Sequence, residues 1–98
     1  MTSATIIGSG PNGLSAAIVL ASAGMSVTVL ERNSGIGGAC STAEITQPGY
    51  LHDLGASVFP MGIASPFFQS LPINTPWIEP SAPCAHPLDD GTVVLLEP

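Results

Sequence analysis

Hydrophobic spacing changes period twice within the first third of the chain. Ala4-Thr5-Ile6-Ile7 is a short, β-branched apolar run of the kind that forms a strand buried on both faces. From Asn12 to Ala23 the period becomes helical, with Leu14, Ala17, Ile18 and Ala21 forming one stripe at i, i+3, i+4 and i+7. Gly24 is a C′ residue that ends this helix. Val27, Val29 and Leu30 then make a second buried strand, parallel to the first if the crossover is right-handed.

Beyond Arg32 the regularity fades. Asn33 to Gly38 reads as a polar, glycine-rich loop, and Ala39 to Ile45 as a short strand or a turn. Pro48-Gly49 marks a turn, and Tyr50 to Gly55 alternates as a short strand does. Ser65-Pro66 pairs an N-cap with a proline at the first helical position, opening a short helix that Pro72 stops. Leu71 to Pro87 holds five prolines and little periodicity, which predicts an extended surface connection. Leu88-Asp89-Asp90-Gly91-Thr92 predicts a hairpin turn with Asp90-Gly91 at its tip and an apolar strand after it. The fold class expected is α/β: the N-terminal part of a Rossmann-type dinucleotide-binding fold, incomplete, with a βαβ unit, an irregular segment and a β-hairpin. The expected division is a nucleotide-binding unit over residues 1–60 and the start of a second, substrate-side region over 61–98.

Between the first strand and the helix stands Gly8-Ser9-Gly10-Pro11-Asn12-Gly13. In a dinucleotide site the first glycine permits the tight turn, the second lets backbone approach a pyrophosphate, and the third allows close packing of helix on sheet. The helix N-terminus offers its free N–H groups to the phosphates. Glu31 lies 18 residues past Gly13 at the end of the second strand, where a carboxylate can accept hydrogen bonds from ribose hydroxyls. A carboxylate there repels the 2′-phosphate of NADP, which leaves FAD or NAD.

The chain has 98 residues, short for a complete dinucleotide enzyme, and it ends in an apolar run; the expectation is an N-terminal piece of a longer protein. Arg32 is the only basic residue against seven acids, a formal charge of −6, so nucleic acid and anionic membrane surfaces are excluded as electrostatic partners. Residues 3–30 carry no charge, but glycines and Pro11 interrupt the run and no basic residue precedes it, which argues against a membrane span or a signal peptide. Cys40 and Cys84 are too few for a disulfide framework and fit reduced thiols in the cytoplasm. His52 and His86 lack the neighbours a metal site needs. Phe59, Phe67, Phe68 and Trp77 suit either a core or an apolar channel.

Gly37-Gly38, six residues after the acid, resembles the second glycine motif of FAD-dependent oxidoreductases. Gly49-Tyr50-Leu51-His52-Asp53-Leu54-Gly55-Ala56-Ser57 is similar to the Gly-aromatic-x-x-Asp-x-Gly segment of the same proteins. Within them the chain looks most like the phytoene desaturase-like flavoproteins, over nearly its whole length and most specifically over residues 4–57. Ala39 departs from the amine-oxidase branch, where arginine commonly follows the glycine pair, and so speaks against an amine substrate. The resemblance implies FAD as cofactor, held by Gly8, Ser9, Gly10, Pro11, Asn12, Gly13, Glu31, Arg32, Gly37, Gly38, Ala39, Gly55 and Ala56. It implies an apolar small-molecule substrate and a full-length oxidoreductase, cytoplasmic or associated peripherally with a membrane, with no catalytic residue assignable in this stretch. Two other readings stay open: an NAD-binding dehydrogenase module, which leaves Gly37-Gly38 unexplained, and a truncated non-catalytic remnant.

Overall fold

The structure is a computed structural model that describes residues 1–96. It divides into two compact units, Met1–Phe59 and Pro60–Pro98.

In the first unit, β1 (Ser3–Ile7) and β2 (Ser26–Leu30) pair in parallel, with Ala4 opposite Val27 and Ile6 opposite Val29. Helix α1 (Pro11–Ser22) joins them and packs on both. Parallel pairing follows from the crossover, because a helix of this length returns the chain to the same end of the sheet. Helix α1 ends in a two-bond cap, Met25 N–H to the Leu20 carbonyl and Gly24 N–H to the Ala21 carbonyl, with Gly24 at φ +83°.

Two expectations are corrected. The strands are covered on one face only: Ala4, Ile6, Val27 and Val29 are half-buried, while Ile7 and Leu30 on the other face are exposed. The half-buried face of α1 carries Gly13, Leu14, Ala17 and Leu20, whereas Ile18 and Ala21 of the expected stripe are exposed. Gly13 packs against the Gly8 carbonyl oxygen at the strand end, so the close approach of helix to strand falls on that face and not on the side of Ile18 and Ala21. Among the described residues no apolar side chain is fully buried, and Ser9 is the one buried residue.

After β2 come β3 (Thr42–Ala43) and β4 (His52–Asp53), a minimal antiparallel pair closed by a hydrogen bond from the Thr42 hydroxyl to Asp53 Oδ1 (2.7 Å).

The second unit opens with α2 (Pro60–Ala64), which periodicity did not predict because its run is too short and contains Gly62. Helix α3 (Pro66–Ser70) follows, begun by Pro66 and stopped at Leu71, as the Ser65-Pro66 signal predicts. Phe67 and Phe68 meet edge to face with centroids 5.4 Å apart. The expected surface connection ends early: Cys84–Pro87 is strand β5, paired antiparallel with β6 (Val93–Leu96). The hairpin supplies the partner that the proline-rich spacing concealed. Its turn is closed by Leu88 N–H to the Thr92 carbonyl (2.9 Å) and Gly91 N–H to the Leu88 carbonyl (3.0 Å). Asp90 Oδ1 accepts from the Thr92 hydroxyl and N–H at 2.6 and 2.9 Å, which lowers the Asp90 pKa. No helix among the described residues is long and apolar enough to cross a membrane.

Candidate nucleotide-binding site

Three separate segments converge at the carboxyl end of β1. Gly8 leaves the strand at φ +94°, a conformation that side chains resist, and its N–H donates to the Leu30 carbonyl at 2.7 Å. Gly13 packs so close that a Cβ there would fall on the Gly8 carbonyl oxygen. Between them Gly10 is in extended backbone, φ −71° and ψ 172°, which any residue adopts. An added Cβ at Gly10 would meet nothing nearer than the Gly38 Cα at 4.0 Å. The chain itself therefore does not require glycine at position 10.

Helix α1 begins at this point. Leu14 N–H to the Gly10 carbonyl is its first bond, at 2.9 Å, leaving the amides of Asn12 and Gly13 ahead of it. Pro11 occupies the position whose N–H would be unused, no side chain caps the end, and no acid lies in the first turn. This end of the helix is open and carries the positive end of its dipole.

The second glycine segment lies across the first. Gly37 N–H donates to the Ser9 carbonyl at 3.0 Å, and a Cβ on Gly38 would stand 3.0 Å from the Gly10 Cα. The third segment ties onto the second: Ala56 N–H donates to the Ala39 carbonyl at 2.9 Å, and a Cβ on Gly55 would meet that same carbonyl oxygen. A cleft of about 390 Å³ opens beside the second segment, with Asn33, Gly38, Ser41, Thr42 and Leu54 in its wall.

Glu31 joins β2 to the first glycine turn. Its Oε2 accepts from the Ser9 N–H (2.8 Å) and the Ser9 hydroxyl (2.7 Å). Its Oε1 accepts from the N–H (2.8 Å) and the Nδ2 (3.0 Å) of Asn33. The Asn33 N–H is the largest influence, and the Ser9 N–H and hydroxyl come next; together they hold the Glu31 pKa at about 2, against an ordinary 4.5. The structure thus brings together Gly8, Ser9, Gly10, Pro11, Gly13, Glu31, Gly37, Gly38, Ala39, Gly55 and Ala56. Asn12 and Arg32 sit on the same turns with exposed side chains. Sequence reading missed Asn33, although an amide two residues past an acid has the reach for such a bond, and missed the Ser9 hydroxyl's grip on Glu31.

The pattern of the NAD(P)-binding Rossmann-like domain matches residues 6–71. The chain belongs to that family. A 1-hydroxycarotenoid 3,4-desaturase from Flavobacterium sp. is 35% identical over 96 residues, covering 94% of this chain and 19% of that protein. A phytoene desaturase from Neurospora crassa is 48% identical over 56 residues, 57% of this chain and 9% of that protein. These relatives bear out the resemblance to phytoene desaturase-like oxidoreductases. An L-amino-acid oxidase from Siganus canaliculatus is 46% identical over 55 residues, 56% of this chain and 10% of that protein. The chain spans a fifth or less of the length of each of these proteins.

Proposed function

We propose that this chain holds the ADP part of FAD at the start of a carotenoid desaturase-like flavin oxidoreductase. The observation that carries the reading is Gly10: its backbone is ordinary, a Cβ would have room, and yet the residue is glycine beside an open helix N-terminus. A bound pyrophosphate explains that choice, since a side chain would occupy the phosphate's space. The amides of Asn12 and Gly13 would hold its oxygens, and the Glu31 carboxylate would receive the adenosine ribose. The crossing of Gly38 over Gly10 favours FAD over NAD, because the longer ligand has use for a second glycine segment along its ribityl chain.

When bound, FAD would supply the redox chemistry by accepting hydride from a substrate. The chain's own part is positional. Gly8 and Gly13 set the turn, Glu31 anchors one end of the ligand, and the segment ending at Ala39 directs the other end away from the helix. An apolar substrate, as the names of the carotenoid relatives suggest, and reaction in the cytoplasm or at a membrane surface belong to the same proposal. So do the division near residue 60 and the lack of turnover by these 98 residues alone. The test is to purify the full-length protein, denature it and identify the released nucleotide. FAD supports the reading, and NAD without flavin overturns it in favour of a dehydrogenase module.

A further inference from the structure

The Glu31 carboxylate is already saturated. A carboxylate offers about four acceptor positions, and four donors fill them here: the N–H and hydroxyl of Ser9 on Oε2, and the N–H and Nδ2 of Asn33 on Oε1. A ribose hydroxyl arriving at Glu31 must therefore displace one of them. The four are not equally displaceable. The two backbone donors are fixed by the glycine turn and by the chain leaving β2. The Ser9 hydroxyl belongs to a residue 1% exposed, so releasing it would strand a buried polar group away from water. The Asn33 side chain is exposed, and its amide returns to solvent at little cost.

We infer that the Asn33 side-chain amide occupies the ribose position on Glu31 in the free protein and competes with the nucleotide for it. This rests on the reading of Glu31 as the ribose acceptor. Ser9 and Asn33 then have opposite roles in binding. Ser9 orients the carboxylate and aids the ligand, whereas Asn33 keeps the carboxylate partnered until the ligand takes its place. Asn33 also lines the neighbouring cleft, which gives the released side chain somewhere to go.

The test uses flavin-free full-length protein and titrates ADP and its 2′,3′-dideoxyribose analogue by calorimetry. Asn33→Ala keeps the backbone N–H to Glu31 and removes only the competitor. It is expected to tighten ADP by about two- to ten-fold, the worth of one hydrogen bond that no longer needs breaking. Binding of the dideoxy analogue, which has no hydroxyl to offer Glu31, is expected to be unchanged. Ser9→Ala is expected to weaken ADP. A purely structural role for Asn33 predicts weaker binding of both ligands. Unchanged or weaker ADP binding by Asn33→Ala, or an equal gain with the dideoxy analogue, overturns the inference while leaving the FAD reading intact. Failure of the wild-type protein to bind ADP at all removes both.

Discussion

Gly10 and Gly13 lie three positions apart, and substitution separates what the fold needs from what a ligand needs. Gly13→Ala drives a Cβ into the Gly8 carbonyl oxygen, and such overpacking costs about 1–3 kcal/mol. Gly10→Ala meets only open space up to Gly38, so it is expected to leave thermal stability intact while weakening FAD binding ten-fold or more. Thermal melts and flavin titration of the two variants check this contrast, and equal loss of stability in both would contradict it. Glu31 adds a pH dependence. Its pKa falls from an ordinary 4.5 to about 2 in the folded chain, so the ionised form is the one the fold favours. The contribution is therefore fully present above the ordinary value and is lost as pH falls through about 2. A carbon-detected NMR titration is expected to place the Glu31 midpoint near 2, and Ser9→Ala to raise it. Replacing Glu31 by Ala removes the proposed ribose acceptor and is expected to weaken FAD binding by about ten-fold or more, read by flavin titration.

At the scale of elements, β1, α1 and β2 were legible because each carries a strong local signal: β-branched strands, a helical period from Asn12 and a glycine cap at Gly24. The hairpin was half legible. Asp90-Gly91 named the turn and the apolar run named β6, but the prolines before it hid β5, since Pro87 looks like a breaker and sits acceptably at a strand end. The covered face of α1 was not legible, because the close approach at Gly13 is a contact across the turn, which periodicity does not encode. Nor was Asn33 on Glu31, a bond between residues in a loop with no regular pattern. Strand β6 leaves Val93, Val94, Leu95 and Leu96 roughly half exposed, and Ile7 and Leu30 leave the second face of the sheet bare. Exposed apolar strands of this kind are pairing sites for other chains. Residues 1–98 expressed alone are therefore expected to self-associate, and Val94→Lys with Leu96→Lys to reduce it; light scattering of a dilution series reads both.

For the whole molecule, the described residues form three two-stranded sheets and bury no apolar side chain, so the candidate nucleotide site stands on a two-stranded scaffold, β1 and β2, with no apolar core behind it. The relatives are five or more times longer, and in them the remaining length has room for further sheet and for a substrate compartment. On the proposed reading, distinct duties fall along one ligand: an open helix end for phosphates, a carboxylate for ribose, and a second glycine segment beyond them. The most direct measurement is therefore competitive. Flavin-free full-length protein is titrated with FAD, followed by flavin fluorescence, in the presence and absence of excess NAD, and Gly10→Val is run alongside. Saturable FAD binding is expected that excess NAD does not reverse and that Gly10→Val abolishes while the protein remains folded. Binding of FAD unaltered by Gly10→Val, or NAD binding in preference to FAD, would contradict it.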